Sequence, residues 1–292
     1  MSMITLHNEE LTVEVNELGA QLHSIQRNDN HHEYLWQGDP ASWKRQAPIL
    51  FPFVGRLKND QYIYGGKTYH QTQHGFARDR KFVALEQTAT KVTLEQHDDD
   101  QTHQVFPFAF SLEVSVELIN DIVDIHYLVK NPSNKNSLIY AIGSHPGFNM
   151  PLHGGDVTLT VNPAEEYSRI VLDGPYNDSA HPRLINMQAP RQLTPEMFSD
   201  DALIFQTAGE HFSATLTDQQ SQFGVTVDTH DTEFVGIWSP YPAQGQFVCV
   251  EPWWGIADNV QADGQLLHKQ GMHRLAPQES NYYHFSIRPF EN

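Results

Sequence analysis

An all-β, antiparallel architecture is the prediction for this chain, and three observations carry it. Apolar residues occupy every second position in Phe110-Ser111-Leu112-Glu113-Val114-Ser115-Val116-Glu117-Leu118, the pattern of a strand with one buried and one wet face. Asn120-Asp121 then reads as a turn into 122–130, where Val123, Ile125, Tyr127 and Val129 share a face, so the two runs form a hairpin. Helical patterning is scarce: Ala41–Gln46, following Pro40, and Pro195–Phe198, following Thr194, are each expected to make a turn or two. Similar short alternating runs recur at 11–15, 157–161, 203–205, 212–216, 223–227, 234–238, 247–250 and 282–287. Many short strands with few helices build a sandwich or a closed barrel.

No composition shift or flexible linker divides the 292 residues, so one domain over 1–292 is expected. Eighteen basic against 36 acidic side chains leave a net charge of −18, a sign that opposes nucleic acid and anionic membranes. The 17 histidines are read as surface composition. Cys249 is the sole cysteine, which rules out an intramolecular disulfide. The first residues lack a basic and apolar leader, and no run approaches the roughly 18 apolar residues of a membrane span, so a cytoplasmic location is expected. Asp98-Asp99-Asp100 is read as a solvated loop.

The segment Pro48-Ile49-Leu50-Phe51-Pro52-Phe53-Val54-Gly55-Arg56 cannot be helical through its middle, with two prolines four apart. It carries Arg56 out of an apolar stretch as a fork of donors suited to ligand oxygens, with Gly55 permitting close backbone approach. In Tyr69-His70-Gln71-Thr72-Gln73-His74-Gly75-Phe76-Ala77-Arg78 the two histidines have the spacing of a helical metal pair. The composition favours an extended segment, which would hold the rings roughly 13 Å apart. That distance argues against a shared zinc. His74, closing a polar strand at a glycine, is the site candidate of the two.

His145 ends the apolar run Leu138-Ile139-Tyr140-Ala141-Ile142-Gly143-Ser144 and precedes Pro146-Gly147, so its ring is expected at the rim of a sheet. Glu251 ends Phe247-Val248-Cys249-Val250 and precedes Pro252-Trp253-Trp254. A carboxylate closing an apolar strand is costly to bury without a role, and an apolar wall raises its pKa into the range of a general base. Trp253 or Trp254 offers a flat face to a sugar ring. Cys249 reads as a small buried hydrophobe and not as a nucleophile. Asp200-Asp201 precede a short strand, and one of them is a candidate for binding ligand hydroxyls, against the alternative of an acidic turn.

Together the segments 51–56 (Phe-Pro-Phe-Val-Gly-Arg), 74–78 (His-Gly-Phe-Ala-Arg), 144–149 (Ser-His-Pro-Gly-Phe-Asn), 201–205 (Asp-Ala-Leu-Ile-Phe) and 251–255 (Glu-Pro-Trp-Trp-Gly) resemble the aldose 1-epimerase (galactose mutarotase-like) family, in the family's order. The resemblance implies a large antiparallel β-supersandwich with a sugar cleft on one face and no metal or organic cofactor. It implies His145 as the acid acting on the ring oxygen and Glu251 as the base acting on the anomeric hydroxyl. Arg56 and His74 would orient the substrate, and Asp201 would bind hydroxyls. Galactose-type members follow their glutamate with Gln; Pro252-Trp253-Trp254 instead resembles the shorter branch that includes hexose-6-phosphate mutarotases.

The implied reaction is mutarotation: ring opening to the aldehyde, rotation of C1 and reclosure to the opposite anomer. A histidine titrating near 6.5 is partly protonated at neutral pH, and a small upward shift would suit His145 to its acid role. The substrate is a small sugar, and its phosphorylation is open; Arg78, Arg80 and Lys81 are basic residues that could accept a phosphate or equally form a solvated strand edge. Two rival classes remain. A sugar-binding sensor would keep the aromatic wall without rate enhancement, and a glycoside hydrolase would pair Glu251 with Asp258 or Asp201.

Overall fold

The computed structural model describes residues 2–292. Two large sheets dominate it. The first has nine strands in the order Arg191–Gln192, Val157–Asn162, Phe212–Asp218, Phe223–Thr229, Ser280–Glu291, Ile122–Lys130, Ser111–Ile119, Lys91–His97 and Val83–Gln87. The second has eight; its path runs Tyr176–Asn186, Glu166–Asp173, Leu203–Gln206, Phe234–Trp238, Phe247–Trp254, Ile142–Ser144 and Ile49–Leu50, with Gly147–Asn149 also pairing to Phe247–Trp254. A three-stranded sheet is formed by Met3–His7, Leu11–Asn16 and Gln21–Arg27. The ladders within these sheets are antiparallel, as the alternation predicts.

Sequence and packing agree closely in the predicted hairpin. Ser111–Ile119 pairs with Ile122–Lys130, and Val123, Ile125, Tyr127 and Val129 are buried while the residues between them are half-exposed. At about 25 cal/mol per Å² of apolar surface removed from water, each such inward residue contributes on the order of 1.5–3 kcal/mol, and a one-residue slip would turn all four outward. Phe51, Phe106 and Phe110 meet beneath this sheet, with Phe51 and Phe110 ring centres 5.1 Å apart.

Two local expectations are corrected. The acidic run at 98–100 opens the one α-helix among the described residues, Asp100–Val105. The Asp99 carboxylate accepts from the Gln101 and Thr102 N–H groups, and Thr102 Oγ1 accepts from the Asp99 N–H, which closes a capping box. A polar six-residue helix has too little apolar periodicity to be read from sequence. Ala41–Gln46 is not helical: Asp39 Oδ1 accepts from the Ala41 N–H at 2.8 Å, and the turn closes on an Asp39–Trp43 bridge. Pro195–Phe198 does form a 3₁₀ turn.

Candidate active site

The eight-stranded sheet brings His145 and Glu251 together by register. Ile142 and Gly143 pair with Trp254 and Trp253, and Gly147 and Phe148 pair with Cys249 and Val248. Both ladders share one register, and continuing it through the gap sets His145 opposite Glu251. Pro146 has no N–H to donate, so the ladder opens at this point and the imidazole is freed at a break inside the sheet. On the other side of Glu251 lies Gly236; a Cβ there would come within 3.0 Å of the Trp253 ring, so glycine keeps room for that indole beside the carboxyl.

His145 Nε2 and Glu251 Oε2 are 3.1 Å apart, and both residues are buried, at 8 % and 1 % exposure. Neither Glu251 Oε2 nor His145 Nδ1 has a hydrogen-bond partner in the protein. Burial drives both groups toward their uncharged forms. It pushes Glu251 well up, with the Asp201 charge adding to the effect, and pulls His145 down to about 3, with Arg78 and Arg45 helping. The small upward shift that would suit His145 to an acid role is not found; desolvation by burial takes it the other way.

Aromatic rings fix the imidazole. Trp43 stacks on it with centroids 4.8 Å apart, while Trp238 and His74 meet it edge-on at 5.5 and 5.6 Å. His74 sits at φ 68°, in a tight turn and not at the end of a strand as its sequence suggested; the strand stops at His70. The Gly55 N–H donates to His74 Nδ1 at 3.1 Å, and the His74 N–H donates to the Gly55 carbonyl at 2.9 Å. With Nδ1 accepting, the ring proton belongs on Nε2. Burial holds His74 neutral, so it is a fixed N–H donor. Gly55, at φ 72°, gives its space to Ala257, since a Cβ would approach the Ala257 side chain to 2.4 Å; the close approach is protein on protein.

These groups line a cleft of about 390 Å³. Seven of the residues singled out from sequence face it: Arg56, His74, Arg78, His145, Asp201, Glu251 and Trp253. Arg56 Nε lies 3.7 Å from Asp60 Oδ1 without a hydrogen bond. Arg78 donates to the Gln73 carbonyl at 2.6 Å, and burial lowers its pKa to about 10. Asp201, at φ 68°, accepts from the Ala202 N–H, and partial burial pushes its carboxyl up against that bond.

Several expectations do not reach the cleft. Arg80 is ion-paired with Asp99 and Lys81 with Glu17, so of the three basic residues considered for phosphate only Arg78 faces inward. His70 is exposed on the hairpin of Gln61–Tyr64 and Lys67–His70. Trp254 is core, its indole N–H donating to Asp231 at 2.9 Å. Asp258 is buried against Lys269 Nζ at 3.1 Å and accepts the Lys58 N–H, which removes it as a hydrolase partner for Glu251. The sequence reading missed Trp43, Arg45 and Trp238. Arg45 pairs with Asp79 at 3.0 Å on the cleft rim, and only its neighbouring tryptophan marked that turn.

Ligand atoms of His145, Cys249 and Glu251 lie within 4.8 Å of one another. Burial and the Glu251 charge raise the Cys249 thiol well above its ordinary value, which disfavours the thiolate a soft metal requires. The donor set fits proton transfer better than metal binding.

The profile described as Aldose 1-epimerase matches residues 2–281. The chain belongs to the aldose 1-epimerase family. It is 30 % identical over 296 residues to the plasmid-encoded protein LacX of Lactococcus lactis subsp. lactis, covering 97 % of this chain and 98 % of that protein. Among solved structures, a galactose mutarotase related enzyme from Lactobacillus acidophilus superposes with a TM-score of 0.96 at 38 % identity, covering 99 % of this chain and 98 % of the other. A galactose mutarotase-like protein from Lactobacillus casei gives 0.91 at 30 % identity, covering 99 % of this chain and all of the other, 100 %. Membership in the aldose 1-epimerase family and these neighbours support a mutarotase-type function and a sugar as substrate, and no helix of the described residues is long and apolar enough to cross a membrane.

Proposed function

We propose that this protein interconverts the α and β anomers of an aldose by general acid–base catalysis, with Glu251 as base toward the anomeric hydroxyl and His145 as acid toward the ring oxygen. The observation that carries the reading is the buried 3.1 Å approach of His145 Nε2 to Glu251 Oε2, with that oxygen and His145 Nδ1 both free of hydrogen bonds within the protein. At rest the pair is a carboxylic acid beside a neutral imidazole. Moving the carboxyl proton to Nε2 makes the carboxylate base and the imidazolium acid in one step, with no change in net charge. Sugar hydroxyls then solvate the separated charges.

Glu251 takes the C1 hydroxyl proton while His145 gives its proton to the ring oxygen, and the C1–O ring bond breaks to leave the aldehyde. The pair is then back in its uncharged form. After C1 rotates, the carboxyl protonates the aldehyde oxygen as the C5 hydroxyl, deprotonated by His145, closes on the other face. Each transfer is worth about 10²–10⁴-fold. His74 Nε2–H and Arg56 orient the hydroxyls, and Trp253 and Trp43 wall the ring.

Anomer interconversion rates for glucose, galactose and glucose 6-phosphate test the reading and choose among substrates. Acceleration of at least one by the wild type, lost in Glu251→Gln with sugar binding kept, is the expected result. Binding without acceleration of any sugar would favour a sensor. Because Arg80 and Lys81 are engaged elsewhere and the chain carries −18, an unphosphorylated aldose is the better substrate in this proposal.

A further inference from the structure

A row of four histidines crosses one face of the nine-stranded sheet, and none of the four lines the sugar cleft. His126 and His284 are directly paired across adjacent strands, and their rings stack with centroids 4.4 Å apart. His230 stacks on the far side of His284 at 4.9 Å, and His211 follows at 5.6 Å. A parallel row runs one pleat away, where Ser286 pairs with Asp124 on one side and with Asp228 on the other. The arrangement therefore repeats: an Asp-x-His at 124–126 within a strand and again at 228–230 across a strand end, each with a further histidine, His284 and His211.

The Asp124 set is the tighter of the two. Both Asp124 oxygens are taken, Oδ2 by His126 Nε2 at 2.7 Å and Oδ1 by His284 Nε2 at 2.5 Å. Side-chain exposures are 14 % for Asp124, 43 % for His126 and 30 % for His284, so the group is accessible from one side only. Its backbone is rigid, because the intervening residues Val123, Ile125, Tyr283 and Phe285 are core. Two imidazole nitrogens and one carboxylate oxygen converging from a fixed sheet face make half or more of a coordination sphere for a borderline divalent ion.

We propose that Asp124, His126 and His284 form a binding site for a divalent transition-metal ion of the zinc or nickel type, distinct from the sugar cleft, with solvent completing the coordination. Zinc with bonds near 2.0–2.1 Å holds its ligand atoms about 3.3 Å apart; the three ligand atoms here lie within 4.8 Å of one another, so the carboxylate backs away and the stacked rings tilt toward each other to admit it. The ion displaces to solvent the protons that the two Nε2 atoms now direct at Asp124, and each ring, bound as neutral imidazole through Nε2, carries its one remaining proton on Nδ1. The net charge of −18 adds a favourable field for a cation.

The test is calorimetric titration of the full chain with zinc chloride, alongside the visible spectrum of the cobalt(II)-loaded protein. One ion per chain binding in the micromolar range is expected, weakened by at least about tenfold in the His126→Gln/His284→Gln double variant. The same binding is expected to persist in Glu251→Gln, since His145, Cys249 and Glu251 are another three-ligand group. The cobalt band of low-symmetry coordination disappears in the double variant, whose metal-free melting temperature and anomer interconversion stay at wild-type levels. Absence of saturable binding below millimolar zinc would overturn the proposal. So would undiminished binding in the double variant, or binding lost in Glu251→Gln alone.

Discussion

The molecule holds two kinds of histidine–carboxylate contact, and they differ in water. In the cleft, His145 and Glu251 lie 3.1 Å apart with almost no exposure, and burial pushes the carboxyl up and the imidazole down to about 3. On the outer sheet, His284 and Asp124 lie closer, at 2.5 Å, yet remain partly exposed to solvent. There the hydrogen bond to Asp124 raises His284. Burial also works against the Asp124 carboxylate, but the bonds from His126 and His284 overcome it and hold it below the usual carboxylate range. An imidazole beside a carboxyl is thus pushed toward the charged forms outside and toward the uncharged forms inside. Desolvation decides the sign, not the distance.

The largest expected effect concerns the inner pair. Glu251→Gln and His145→Gln should each lower turnover by about 10²–10⁴-fold while sugar binding stays near wild type. The double variant should lose little more than either single one, because the two groups act as one unit. Additive losses would show that they work separately. Next in size is His74→Gln, which removes the acceptor of the Gly55 N–H and the ring donor facing the cleft. Sugar affinity should fall by about tenfold, on the order of 1–1.5 kcal/mol for one hydrogen bond, with a smaller effect on turnover.

Stability gives a further contrast. The folded-state pKa of Glu251 is raised, so the folded protein holds that proton more tightly and loses stability as pH rises from the ordinary carboxylate value of 4.5 toward the raised value. Glu251→Gln carries no such penalty. Its melting temperature should exceed wild type at pH 8 by more than at pH 4.5, at about 2–4 °C per kcal/mol. An equal difference at both pH values would mean the carboxyl is not desolvated. The smallest effect belongs to the outer pair: Asp124→Asn should change stability by only about 0–1 kcal/mol and leave anomer interconversion untouched.

The fold class was legible because alternation survives in strands with one wet face, such as Ser111–Ile119. It was illegible in the edge strand Val83–Gln87, exposed at every position, and in Tyr176–Asn186, which is largely exposed and contains Pro182. His145 and Glu251 stood out as polar ends of apolar runs, but their contact depends on a register between strands about a hundred residues apart, which no local pattern encodes. Trp43 and Arg45 lie on a turn held by Asp39, without any periodicity to announce them. The upward shift of Glu251 was legible from its apolar strand, whereas the downward shift of His145 was not, because it follows from burial by residues remote in sequence.

The most direct test of the buried pair is the rate of anomer exchange, followed by proton NMR across pH 4 to 9 in wild type and Glu251→Gln. Activity requires the pair to hold one transferable proton. It is lost as pH falls through the depressed His145 value near 3 and as pH rises through the raised Glu251 value. A flat wild-type rate across neutral pH, with Glu251→Gln at the buffer background, is the predicted outcome. A rate that titrates near 6.5 like a free imidazole, or full activity in the variant, would contradict it.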